Sequence, residues 1–183
     1  MALTPSTMIG LGTTLPSFSL LDVSGKTVSS GGFASSRGVL VAFLCPHCPY
    51  VRHIRSAFAR VADDLQQRGI AVVGINSNVS SVPEDGLDGM RQEIREAGYR
   101  FPYLLDESQA VAKAFQAACT PDLFLYDSRQ KLVYRGQFDG SRPNSPEPVT
   151  GAALKAAANA LLAGREIADD QRPSMGCNIK WKG

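Results

Sequence analysis

Cys45-Pro46-His47-Cys48 carries the first chemical signal in this sequence. Two cysteines with two residues between them can shuttle between dithiol and disulfide, or can hold a metal ion. The backbone context separates these chemistries. Upstream, Val39-Leu40-Val41-Ala42-Phe43-Leu44 is a continuous apolar run, as expected for a strand buried on both faces. Downstream, Val51, Ile54, Phe58, Val61 and Leu65 recur at steps of three and four, which predicts an amphipathic helix stopped by Gly69. A thiol at that junction meets the free N–H groups and the positive end of the helix, and both favour the thiolate. Redox chemistry is therefore the leading expectation. A metal-binding module built from Cys45, Cys48 and His47 or His53 is weaker, because the histidine spacing departs from usual zinc patterns. Pro49 directly after Cys48 excludes the usual haem attachment motif.

The proline also ranks the two thiols. Pro49 disfavours helical geometry at Cys48 and is itself well suited to the first helical position. Cys48 then becomes the helix cap. With Cys45 as the cap, Pro49 would fall at the fourth helical position and delete the first helical hydrogen bond. Cys48 is thus expected to be the attacking thiolate, with Cys45 its nearest resolving partner. Arg52, one turn on, could add positive charge or simply be solvated. His47 could tune the thiolate or be an exposed spacer.

The remaining elements must hold this junction in place. Phe18–Leu21 and Thr27-Val28 predict a small hairpin turning at Ser24-Gly25, after an irregular lead-in over 1–17. Ile70–Ile75 predicts a second buried strand, and Leu87–Ala97 and Ser108–Ala117 predict helices. Leu123–Tyr126 and Lys131–Phe138 predict an antiparallel pair, and Thr150 is expected to cap an Ala-rich helix over Gly151–Ala163. The Asn76-Ser77-Asn78 loop follows a strand end and is a weak ligand-binding candidate. Residues 165–183 read as a polar tail that holds Cys177 and the sole tryptophan, Trp181. The expected fold class is α/β, a mixed central sheet flanked by helices. The domain spans 18–164, with an N-terminal β-hairpin and a C-terminal tail over 165–183.

Quoted together, several segments resemble one family. They are Cys45-Pro46-His47-Cys48-Pro49-Tyr50-Val51, Phe101-Pro102-Tyr103-Leu104-Leu105-Asp106-Glu107-Ser108-Gln109, Cys119-Thr120-Pro121-Asp122, Tyr134-Arg135-Gly136, and Gly176-Cys177-Asn178-Ile179-Lys180-Trp181. The chain resembles the thioredoxin-like superfamily, and within it the peroxiredoxin-like group related to alkyl hydroperoxide reductase and thiol-specific antioxidant proteins (AhpC/TSA). The resemblance implies a thioredoxin-like fold and makes Thr120-Pro121 a cis-proline loop beside the active thiols. Cys119 next to it is expected to be a buried small residue. Cys177 is left open between a resolving thiol and a packed anchor. Against the peroxiredoxin pattern Pro-x-x-x-Thr-x-x-Cys, Val41 stands at the proline position and Cys45 at the threonine position when Cys48 is peroxidatic. The arginine that the peroxiredoxin site places just before a strand is replaced by the Thr120-Pro121 region, and losing donors that polarise a peroxide bond weakens a peroxidase reading.

The leading expectation is a thiol–disulfide oxidoreductase acting on a disulfide protein or a small-molecule disulfide. The alternative is a thiol peroxidase that reduces hydroperoxides through a Cys48 sulfenic acid. An interaction module that merely keeps the fold is the remaining class. No cofactor and no metal are expected. A net charge of +2 offers no bulk attraction for nucleic acid or membrane surfaces, and no apolar run approaches the length of a membrane span. Residues 1–10 show no basic, then apolar, leader pattern, which predicts a cytoplasmic setting that keeps thiols reduced. The reducing partner and the oligomeric state are not readable.

Overall fold

The computed structural model describes residues 3–182. In chain order the strands are β1 (Leu3–Pro5), β2 (Ser19–Leu21), β3 (Thr27–Ser29), β4 (Gly38–Phe43), β5 (Ile70–Asn76), β6 (Tyr103–Leu105), β7 (Cys119–Thr120), β8 (Asp122–Asp127), β9 (Leu132–Gly136) and β10 (Met175–Asn178). The helices are α1 (Pro49–Gln67), α2 (Leu87–Ala97), α3 (Ala110–Phe115) and α4 (Ala152–Leu162). The central sheet runs β6-β5-β4-β8-β9. Within it β4 is parallel to β5, β5 parallel to β6, and β8 antiparallel to both β4 and β9.

β4 is the centre of this sheet, and its pleat divides the core in two. Leu40, Ala42 and Leu44 face one apolar cluster with Phe58 and Leu65 of α1, Met90 of α2 and Leu154 of α4. Val39, Val41 and Phe43 face the other, with Phe115 of α3 and Phe18 beside the hairpin. This two-sided burial is why the strand reads as an unbroken apolar run rather than an alternating one. The Phe58 ring meets Tyr99, Phe101 and Phe138 edge-on, at centroid distances of 6.3, 5.7 and 5.8 Å. Removing such a ring costs about 3–5 kcal/mol, so the middle of α1 is firmly anchored. Among the described residues no helix is long and apolar enough to cross a membrane.

The hairpin is formed by β2 and β3, with Asp22 Oδ1 accepting from the N–H groups of Ser24 and Lys26. Helix α1 closes at Arg68, and Gly69 follows at φ +90°, a backbone region that suits glycine.

Two findings differ from the sequence reading. The residue capping α4 is Gly151, not Thr150. Asp139 Oδ2 accepts from the N–H groups of both Thr150 and Gly151 at 2.7 Å, so a carboxylate from another segment satisfies this helix start. Residues read as lead-in and tail also form a sheet of their own, ordered β1-β10-β7. Leu3 pairs with Cys177, and Cys177 in turn pairs with Thr120. Gly176 allows that approach, because a Cβ there would lie 2.0 Å from the Thr120 carbonyl oxygen.

Candidate active site

The site lies where β4 hands over to α1. Cys48 is the α1 cap, at φ −69° and ψ 120°, and Pro49 takes the first helical position. Cys45 lies two residues past the end of β4. Both thiols are fully buried, and Cys177 and Thr120 nearly so. The Thr120-Pro121 peptide is cis. Cys48 Sγ is 3.1 Å from the Thr120 carbonyl oxygen, to which the protonated thiol donates. Cys45 Sγ is 3.1 Å from Thr120 Oγ1. Thr120 therefore touches both cysteines, while Cys177 approaches Cys48 from β10.

These contacts split the thiols. The hydrogen bond donated by Cys45 does most to hold Cys48 ionised. Against the opposing cost of burial, and with help from Cys177, Thr120 and the Val51 N–H, it brings the Cys48 pKa down to about 5. Cys45 moves the other way, well above the usual thiol range. Its bond to the Cys48 thiolate leads, burial follows, and the nearby Asp85 carboxylate adds to both. Burial first, then the bond to Cys48, pushes Cys177 up to about 12. One thiolate between two protonated thiols is the charge state this arrangement favours. Cys119 is held far above the usual range by burial, and its Sγ donates to the Pro121 carbonyl at 3.5 Å.

Two flanking residues are placed differently from one another. Arg52 is exposed, and its Nε donates to the Pro46 carbonyl at 2.7 Å, tying the Cys-Pro-His-Cys loop to the first turn of α1. His47 is bound to Asp85 twice: its backbone N–H donates to Asp85 Oδ1 at 2.8 Å, and its Nδ1 meets Asp85 Oδ2. Asp85 is fully buried, with its own carbonyl held by Asn76 Nδ2. The sequence reading did not pick out Asp85. It lies in a turn-rich loop 38 residues from its partner, and no local pattern marks it. Cys45, His47 and Asp85 bring one ligand atom each to within 4.8 Å of one another, so these three could take part in holding a metal ion. His53 faces Ser141 instead, at 3.0 Å.

The Asn76-Ser77-Asn78 loop has internal work. Asn76 Oδ1 accepts from the Asn78 N–H, Ser77 Oγ donates to Asp106, and Asn78 Oδ1 accepts from the Lys180 N–H.

Residues 11–135 match the model of the AhpC/TSA family. The chain belongs to the AhpC/TSA family. Membership makes it an oxidoreductase with a redox role, on a thioredoxin-like fold. Among solved structures, a hypothetical protein from Sinorhizobium meliloti 1021 is 49% identical with a TM-score of 0.95, over 98% of this chain and 99% of that one. The thioredoxin domain of a thiol-disulfide oxidoreductase from Bacteroides vulgatus is 18% identical with a TM-score of 0.62, over 82% of this chain and 99% of that one. Peroxidoxin BcpB from Mycobacterium tuberculosis is 19% identical with a TM-score of 0.63, over 85% of this chain and 98% of that one. The last two share the fold. No curated protein matches the chain.

Proposed function

We propose that this AhpC/TSA member is a thiol–disulfide oxidoreductase with Cys48 as nucleophile and Cys45 as resolving thiol. The observation that carries this reading is Cys48 capping α1 beside the cis Thr120-Pro121 peptide, with Thr120 touching both Cys48 and Cys45; the lowered Cys48 pKa and raised Cys45 pKa agree with it. The Cys48 thiolate attacks one sulfur of R–S–S–R, forming Cys48–S–S–R and releasing R–S⁻. Cys45 then gives its proton to a departing thiolate and attacks the Cys48 sulfur. That step forms the Cys45–Cys48 disulfide and frees the second R–S⁻. The substrate gains two electrons and the cysteine pair loses two. A low Cys48 pKa also makes it a good leaving group when an external thiol attacks the partner sulfur of its disulfide during regeneration. No cofactor enters the cycle, and an external thiol reductant regenerates the pair. Four free thiols suit a reducing, cytoplasmic compartment.

Pre-reduced protein mixed with oxidised glutathione tests this. The expected products are reduced glutathione and a Cys45–Cys48 disulfide identified by peptide mass spectrometry, with no reaction in Cys48→Ser. A wild-type protein that leaves oxidised glutathione untouched refutes it.

Family membership supports a second reading, a thiol peroxidase. Cys48 would attack a hydroperoxide ROOH, giving ROH and a sulfenic acid, which Cys45 or Cys177 would close to a disulfide with loss of water. Stopped-flow peroxide consumption no faster than that of a free thiol removes this reading.

A further inference from the structure

Resting on the oxidoreductase reading, we propose that strand β10 is an internal occupant of the edge beside Cys48 and limits the substrate to small disulfides rather than polypeptides. Four observations lead there. Cys48 has no exposed surface, and part of its cover comes from Cys177. β10 is hydrogen-bonded along β7, with Cys177 opposite Thr120 and Asn178 opposite Cys119. Thr120 is also the residue whose carbonyl lies 3.1 Å from Cys48 Sγ. The sulfur of Cys177 therefore stands where the sulfur of an incoming disulfide would have to stand. Its flanking backbone fills the strand edge that an extended peptide would use to present such a sulfur.

The two substrate classes need different openings. A small disulfide needs the Cys177 side chain to swing aside, a rotamer change. A polypeptide disulfide needs the backbone edge itself. β10 would have to leave β7, and it is also paired on its other side with β1 through Leu3–Cys177, Thr4–Gly176 and Pro5–Met175. Further bonds fasten the strand at both ends. The Ser174 N–H donates to Ser6 Oγ at 3.1 Å, and the Ile179 N–H donates to the Ala118 carbonyl at 3.1 Å. An adaptable flap would not be secured on both edges and at both ends.

The experiment compares one chemical bond in two carriers. Pre-reduced protein is mixed with oxidised glutathione or with the symmetric disulfide of a linear peptide of about ten residues carrying a central cysteine, so that either sulfur attacked belongs to a peptide. Released thiol is followed in both cases. Wild type is expected to react with oxidised glutathione faster by about tenfold or more, the ratio that one or two net backbone hydrogen bonds command. Gly176→Ala places a Cβ against the Thr120 carbonyl and pushes β10 away. It is expected to narrow that ratio and to raise hydrogen–deuterium exchange at 175–178. Should this variant fail to fold, Leu3→Pro loosens β10 from its far edge and serves the same comparison. Equal wild-type rates for the two carriers overturn the proposal. So does an unchanged ratio in a variant whose exchange shows β10 released. Wild type unreactive toward both carriers instead overturns the oxidoreductase reading beneath it.

Discussion

Replacing Cys45 by Ala should raise the pKa of Cys48, and the size of the rise tests how the site would make the nucleophile proposed above. The wild-type midpoint is about 5, against roughly 8.5 for a free cysteine. The bond donated by Cys45 is the largest contribution favouring the thiolate. A hydrogen bond to a charged group is worth about 1.5–3 kcal/mol, or about one to two pKa units. The Cys45→Ala midpoint should therefore fall at about 6 to 7, and Cys177→Ala should move it less. Cys48 is fully buried, so alkylation rates would mix ionisation with access. The ultraviolet absorbance of the thiolate across a pH series, with Cys48→Ser subtracted, reads ionisation alone. Rates at neutral pH would also mislead for a second reason. About 3.5 units of pKa depression raise the thiolate fraction at pH 7 about 30-fold, yet cost each thiolate about 25- to 60-fold in nucleophilicity. The advantage lies at acid pH and in the release of Cys48 when an external thiol re-reduces its disulfide. A wild-type midpoint in the ordinary thiol range, or a Cys45→Ala midpoint equal to wild type, refutes the reasoning.

Other expectations follow from buried charge and buried sulfur. Glu93 bonds to the Tyr103 hydroxyl at 3.0 Å, and burial pushes its pKa up to about 7. Stability associated with its protonated form is complete below the ordinary carboxylate pKa and is lost as pH rises through about 7. Glu93→Gln should thus gain on wild type by about 3 kcal/mol between pH 4 and pH 8 in denaturant titrations; parallel curves would contradict it. Asp139→Ala strands the N–H groups of Thr150, Gly151 and Ser141. It should cost about 2 kcal/mol of stability, read as a lowered denaturation midpoint with unchanged slope. Cys119, protonated and buried, should stay unmodified when mild peroxide oxidises Cys48, as peptide mass spectrometry would show. Zinc that binds the reduced protein should do so through Cys45, His47 and Asp85, so Asp85→Ala should weaken the binding; binding equal in the two proteins excludes this cluster.

The central elements were legible because each rests on a local pattern. β4 and the Ile70–Ile75 part of β5 carry no polar side chain, α1 repeats at three and four, and Pro49 marks Cys48 as the cap from sequence alone. The parts that were not legible depend on partners far along the chain. Leu3-Thr4-Pro5 and Met175-Gly176-Cys177-Asn178 lack alternation and strand propensity, and only mutual pairing makes them strands. Asp85 and Asp139 are short acidic residues in loops, and nothing near them in sequence announces that one grips His47 and the other starts α4. Thr150 had the right chemistry for a cap but sits one position early.

Strand β10 comes last among the described elements, yet it meets the first of them, and the flanking Ser174 and Ser6 are bonded across 168 positions. A chain emerging from the ribosome can assemble the central sheet and α1 well before β10 is available. Until then Cys48 is formed but uncovered. The cover is among the most non-local contacts in the molecule, the kind that closes slowly because a long loop must be ordered first. A nascent or C-terminally clipped chain would thus expose the Cys48 sulfur that the finished protein keeps inside.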